Sequence, residues 1–297
     1  MRFCVTTAWM LASGISLAAS SAELVGPARR KQLLRRVFVT LVGSVAALYL
    51  AIVLFVYFRQ EALIFHPTPL PANYEFSMPG VTEDKIKVDG AELSALHLRL
   101  PNPRGVVFFL HGNAGNVKSW FTSVEFYQRI NYDLYIIDYR GFGKSTGAIE
   151  SEAQLHADVR TAWDRIAPQY VGKKKVIYGR SLGTGLGAKL AADVQPDLTV
   201  LVSPYVSLLA MAELRYPWLP TALSRYAMRS DEWLPKISRD VFVLHGDLDT
   251  VIPLAQGERL SKARAATEFL IVNGAGHNDI QRFPAYRDAL ANRLIGL

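Results

Sequence analysis

Six apolar runs of strand length, separated by stretches of helical periodicity, leave this chain few folds to choose from. They are GVVFFLHG (105–112), DLYIIDYRG (133–141), KKVIYGRS (174–181), LTVLVSP (198–204), VFVLHG (241–246) and EFLIV (268–272). A strand with one wet face alternates apolar and polar residues, whereas these runs are nearly continuous in apolar residues, so each predicts a strand covered on both faces. Between them, SEAQLHADVRTAWDRI (151–166) sets Leu155, Val159, Ala162, Trp163 and Ile166 on one helical stripe, with Ser151 and Gln154 spaced for a capping box. Alternation of this kind predicts a mostly parallel, doubly wound α/β sheet in a single domain. Two earlier stretches, EDKIKV (83–88) and ELSALHLRL (92–100), alternate in polarity and predict an antiparallel edge pair. The segment at 205–236 is too long for a plain connection and carries Tyr205, Tyr216, Trp218, Tyr226 and Trp233. It predicts a small helical cap over the carboxyl edge of the sheet, where such folds bind ligands.

Upstream of the body lie 22 uncharged residues, 37–58, which as a helix would span about 33 Å and cross a bilayer core. Arg29, Arg30, Lys31, Arg35 and Arg36 precede this run and only Arg59 follows it closely. The positive-inside rule predicts a single-pass membrane protein with a cytoplasmic flank and a body on the extracytoplasmic (periplasmic) side. The first residues, MRFCVTTAWMLASGISLAASSAE, have the pattern of a signal peptide. The two readings conflict, because cleavage after Ala22 would leave the basic cluster on the wrong side of the span. Either the first segment is uncleaved, or translation starts later, or the topology departs from the charge rule. The expected division is a signal-like or uncleaved segment at 1–28, a basic flank and anchor at 29–60, and a body at 61–297.

The formal charge of +7 belongs to this N-terminal part. Residues 1–59 hold seven of the 33 basic and one of the 26 acidic side chains, which leaves 26 against 25 for the rest. A body so close to neutral gives no reason to expect nucleic acid as a partner. The lone cysteine, Cys4, is also N-terminal, so the body offers no thiolate nucleophile, disulfide or cysteine-based metal site.

In a doubly wound sheet the residues just past the strands converge at one edge, and four such ends carry reactive types. In GRSLG, Ser181 stands between Gly179 and Gly183, the pattern of a nucleophile on a sharp strand-to-helix turn. Phosphate-loop readings fail: Lys189 follows Ala188, GKS at 143–145 has Asp138 where the first glycine should be, and GTGLG lacks the dinucleotide spacing. HGDLDTVIP brings Asp247 and Asp249 to a second strand end, and NGAGHNDI brings His277 to a third. Alone, Asp249 could cap a helix and His277 could satisfy a loop; together with Ser181 they make a triad in the order serine, aspartate, histidine. HGNAGN (111–116) follows the strand that would supply a second oxyanion-hole amide, from Asn113, beside that of Leu182. His111 reads as a turn residue, and His111, His245 and Asp247 have no metal-ligand spacing. No cofactor is expected.

With these residues assembled, the chain resembles a serine hydrolase of the α/β-hydrolase superfamily, in the membrane-anchored branch of protein depalmitoylase-like and bacterial hydrolases. The matching motifs are FFLHGNAGN, IIDYRGFGKSTG, YGRSLGTG, LHGDLDTVIP and GAGHND, spread over roughly 59–297. The resemblance implies an α/β-hydrolase fold with a small cap. It implies Asp249 as the triad acid, with Asp247 the weaker candidate, and a structural DYRGFGKS loop in which Arg140 pairs with an acid. The expected reaction is hydrolysis of a carboxylic ester or thioester, on a small-molecule or lipid-like acyl substrate. The alternatives are a serine peptidase on the same fold and a non-catalytic hydrolase-fold binding module.

Overall fold

The computed structural model describes residues 27–297; the signal-like stretch lies outside the described residues. Helix α1, Pro27–Phe58, takes in the basic flank as well as the uncharged run and is long and apolar enough to cross a membrane. Its apolar side chains are exposed from Leu33 to Phe58, with Val53 the one buried residue of the helix. A separate compact body runs from Val53 to Leu297 and so includes the last turn and a half of α1.

The body is built on eight strands: β1 Val81–Val88, β2 Ala91–Leu98, β3 Gly105–Leu110, β4 Asp133–Ile137, β5 Lys174–Arg180, β6 Leu198–Val202, β7 Asp240–Gly246 and β8 Thr267–Val272. Their spatial order is β8-β7-β6-β5-β3-β4-β2-β1. Only β2 runs against the rest, pairing antiparallel with both β1 and β4. The order reverses at the β3–β5 contact, with Leu110 opposite Gly179, so the residues after these two strands emerge side by side.

Alternate residues of the strands feed two cores. On one face Val106, Phe108, Ile177, Leu201 and Val243 pack against α3 (Glu152–Ile166) and α4 (Leu182–Val194). On the other, Val107, Phe109, Val176, Tyr178 and Leu244 pack against α2 (Val124–Ile130) and the C-terminal helix α7 (Pro284–Ile295). Two apolar faces, each with its own layer of helices, explain why the strand sequences carry no alternation. The start of α3 differs in detail from the capping box. Ser151 Oγ accepts from the Gln154 amide at 3.1 Å, but Gln154 Oε1 reaches past Ser151 to the Glu150 amide at 2.9 Å.

Between β6 and β7 the chain forms α5 (Leu208–Arg215) and a series of short turns. The base of this segment belongs to the core through Tyr205, Tyr226, Met228 and Leu234, whereas α5 fully buries none of its side chains. After it come β7, then α6 (Leu254–Lys262), then β8.

Candidate active site

Ser181 is the turn between β5 and α4, with φ 52° and ψ −120°, a left-handed conformation that a serine adopts only under constraint. The constraint is supplied by its neighbours. Its amide donates to Val202 O at 3.0 Å, and its carbonyl accepts from the Thr184 amide and hydroxyl at 2.9 and 2.6 Å. The glycines on both sides are required by close approach. A Cβ on Gly179 would lie 2.8 Å from Thr184 Cα, and one on Gly183 would lie 2.7 Å from His111 O. Gly187 also lies near the sheet, but Gly185 serves another purpose: it leaves room for the Tyr205 hydroxyl, which donates to Leu182 O at 3.0 Å.

His277 and Asp249 meet this serine. His277 Nε2 lies 3.0 Å from Ser181 Oγ, and His277 Nδ1 lies 2.7 Å from Asp249 Oδ2. An ionised carboxylate can only accept, so Nδ1 carries the proton and Nε2 is left as the acceptor facing the serine hydroxyl. Asp249 Oδ1 accepts from the Val251 and Ile252 amides at 3.0 and 2.8 Å. Burial by itself would raise the Asp249 carboxyl, but the His245 and His277 imidazoles and the Ile252 amide outweigh it and hold the group well below the usual carboxylate range. Asp247 takes no part. It is exposed and accepts from the Gly274 amide at 2.6 Å, bracing the loop that leads to His277.

Two residues that the motifs did not single out support this chain of contacts. His245, fully buried, lies 3.5 Å from Asp249 Oδ2 while its Nε2–H donates to Ile252 O at 2.8 Å, so it backs the carboxylate from the far side. Its only sequence signal was its place four residues before Asp249. Arg180, also buried, donates to the His277 carbonyl and, at 3.2 Å, to Gln281 Oε1. It ties the end of β5 to the His277 loop, a role concealed in the unspecified position of G-x-S-x-G.

The second amide-bearing loop is held from below. His111 is buried and its Nδ1–H donates to Gly112 O at 2.7 Å. That carbonyl and the Asn113 N–H belong to one planar peptide and point in opposite directions. Fixing the carbonyl inward therefore turns the Asn113 amide outward. Asn113 is anchored besides by its side chain to Ile64 O at 2.8 Å and by its carbonyl to the His66 amide at 2.7 Å. The Leu182 amide sits at the first turn of α4, where helix N–H groups have no intrahelical acceptor. Arg140, by contrast, is structural, forming a two-pronged pair with Asp158 at 2.5 and 2.9 Å away from these groups.

A small aromatic cleft of about 60 Å³ lies between Trp120, Phe126, Tyr178 and Tyr286, with Arg180, the residue before the serine, and Gln281 on its wall. Trp120 connects it to the centre, because the indole packs on Gly112, and a Cβ on Gly112 would be 3.6 Å from Ser181 Cβ.

Comparison with known proteins agrees with this architecture. The Hydrolase_4 family, described as serine aminopeptidase S33, matches residues 101–230. Alpha/beta hydrolase domain-containing protein 17B of Homo sapiens is 31% identical over 208 residues, covering 68% of this chain and 70% of its own length. Uncharacterized protein Rv2307c of Mycobacterium tuberculosis is 30% identical over 250 residues, covering 80% of this chain and 87% of its own. The solved structure of the Pyrococcus furiosus esterase Pf2001 superposes with a TM-score of 0.63 at 19% identity, over 78% of this chain and 97% of that one. The strand order, the elbow and these relatives together place the chain in the α/β-hydrolase family, as a hydrolase.

Proposed function

We propose that this hydrolase cleaves carboxylic esters or thioesters through an acyl-enzyme on Ser181. The observation that carries the reading is the continuous relay from Ser181 Oγ through His277 to Asp249, at 3.0 and 2.7 Å. His277 Nε2 takes the Ser181 proton as Oγ attacks the acyl carbon, and Asp249 stabilises the imidazolium that forms. The Asn113 and Leu182 amides receive the oxyanion of the tetrahedral intermediate. The imidazolium then protonates the departing alcohol or thiol, leaving the acyl group on Oγ. In the second half His277 takes a proton from water, hydroxide adds to the acyl carbon, and the acid leaves as the proton returns to Ser181. An aminopeptidase would need a carboxylate placed to hold the substrate amine, whereas Asp247 and Asp279, in the loops around the triad, each accept a backbone amide and brace those loops.

We read residues 29–60 as the basic flank and single-pass anchor, and residues 61–297 as an extracytoplasmic catalytic body with a cap at 205–236. The asymmetry between the five basic residues before the run and Arg59 after it supports this orientation. The test of the chemistry is Ser181→Ala in the full-length protein, assayed on acyl esters and acyl thioesters of graded chain length and with a fluorophosphonate probe. Both turnover and labelling are expected to vanish. Persistence of either without Ser181 would sink the mechanism.

A further inference from the structure

The cap divides into a buried base and an exposed tip, and Leu223 in that tip meets the residues that lead into the body. Leu214, Tyr216, Trp218 and Leu223 are all exposed, Trp218 by 50% and Leu214 by 53%. They lie on one short excursion, folded back on itself where Thr221 Oγ1 donates to Glu213 Oε1 at 3.5 Å. Arg215, in the same stretch, donates to the carbonyls of Thr250 and Val251, at 3.0 Å to the latter. That contact brings the tip against the loop carrying Asp249, whose neighbours Leu248 and Val251 are exposed by 60% and 46%. A cluster of large apolar side chains beside the loop that carries Asp249 is not an ordinary monomer surface.

What covers it is indicated by the chain entering the body at the same place. Gln60, two residues past the apolar run, donates to Leu223 O at 2.8 Å and accepts from the Arg225 amide at 2.8 Å. Glu61 pairs with Arg225 at 2.6 Å and accepts from the Tyr226 hydroxyl at 2.8 Å, while the Arg225 guanidinium lies over the Tyr57 ring. The residues at which the polypeptide leaves its apolar segment are thus locked to the base of the exposed tip. If residue 58 ends a membrane span, the cap is tied by hydrogen bonds, through Leu223 and Arg225, to a residue only two positions beyond it. Tyr, Trp and Arg beside Leu and Val make the composition that settles at lipid headgroups, with rings at the boundary and guanidinium groups among the phosphates.

We propose that this tip, Leu214, Tyr216, Trp218 and Leu223 together with Leu248 and Val251, is a membrane-contact surface. It seats the face that carries the Asp249 loop on the bilayer that holds the anchor. The proposal rests on reading residues 37–58 as that anchor. Esters lodged in the bilayer would then reach Ser181 from the lipid side, while water-soluble esters would enter without using the surface.

The first test needs no turnover. Full-length protein and its Trp218→Phe variant are reconstituted into phosphatidylcholine vesicles whose acyl chains carry bromine, and tryptophan quenching is compared with that in unbrominated vesicles. The wild type is expected to lose a component of fluorescence that the variant lacks. Equal quenching in the two overturns the proposal. The second test combines Leu214→Ser, Tyr216→Ser and Trp218→Ser and compares hydrolysis of a bilayer-embedded ester with that of a soluble short-chain ester. A fall of roughly tenfold for the embedded ester, with the soluble one within about twofold, supports the surface. Equal rates or equal losses for both esters overturn it. Because quenching is independent of catalysis, a failed esterase reading, seen as activity surviving Ser181→Ala, leaves the first test intact.

Discussion

Helices α4 and α5 follow adjacent parallel strands, β5 and β6, yet they are opposites. Through its first seven residues, from Leu182 to Ala188, α4 is wholly buried, and Gly183 and Gly185 stand where a Cβ would collide. Helix α5 fully buries no residue: Leu208, Ala210 and Met211 at its start rest half-buried on the core, while its end, from Glu213 to Arg215, is exposed and is fastened by Arg215 to Val251 O at 3.0 Å. The difference separates two tasks. A nucleophile held in a strained conformation needs neighbours that cannot yield, whereas a surface that meets varied substrates or a membrane can be built from side chains that touch little of the protein. Substitutions should therefore act through fold and rate at α4, and through binding at α5.

The sharpest way to break this contrast is Gly183→Ala. The added methyl would meet the carbonyl carbon of Leu110 at 2.6 Å and His111 O at 2.7 Å, both backbone atoms of a central strand end. We expect a loss of about 3 kcal/mol or more, a fall in Tm of roughly 10 °C, and no measurable activity. Calorimetry checks it. A variant with wild-type Tm would mean that the elbow is far more pliable than its packing indicates.

Next in size is Asp249→Asn, which should leave the fold in place and lower kcat by about 10⁴-fold by favouring the wrong imidazole tautomer. Its pH behaviour follows from the depressed carboxyl. A folded-state pKa below the unfolded one gives stability that is present above roughly pH 4 and is lost as pH falls through the folded value. Asp249 thus stays ionised through mildly acidic conditions, and its carboxylate should add no proton to the acid-side fall in kcat/KM, which should be a one-proton step. A two-proton acid limb would contradict this.

The third effect belongs to Arg180. Arg180→Met keeps the stem packed but removes the donors to the His277 carbonyl and Gln281. We expect kcat to fall about 10²-fold through misplacement of the imidazole, with KM little changed and partial recovery in Arg180→Lys. A rise in KM alone would show that Arg180 serves the cleft rather than the histidine loop.

These three sites were not equally readable from sequence. The doubly covered strands, the antiparallel edge and the elbow follow from local rules, because apolar continuity and glycine spacing are set within a few residues. The order of Ser181, Asp249 and His277 is also local in origin, each standing just after its strand. Arg180 depends on which strand ends become neighbours, and nothing within a few residues of it announces His277 or Gln281; His245 and His111 act on nearby residues, Asp249 and Gly112, but only the folded turn gives those neighbours a role. Glycine behaviour was legible only in part: Gly179 and Gly183 have the close contacts that the motif implies, but Gly185 accommodates Tyr205 from the next strand's loop. The aromatic richness of 205–236 also concealed a division, since Tyr205 and Tyr226 are core residues while Tyr216 and Trp218 are surface. Periodicity could not separate them, because their burial depends on where a chain without regular structure returns to the sheet.

The smallest expected effect is the one that tests the α5 side of the contrast most directly. Arg215→Ala removes the exposed guanidinium that donates to Thr250 O and Val251 O, and so unfastens the tip from the loop bearing Asp249. Because Arg215 is exposed, stability should change by no more than about 1 kcal/mol. Asp249 retains the amides of Val251 and Ile252, so the relay stays in register and kcat should hold. KM for a bulky ester should rise by roughly two- to fivefold, as a wall of the entrance becomes mobile, and KM for a minimal acetyl ester should not. If kcat instead fell with both substrates, the acid loop would owe its geometry to the cap. The exposed and buried helices would then form one mechanical unit, not two regions with separate tasks.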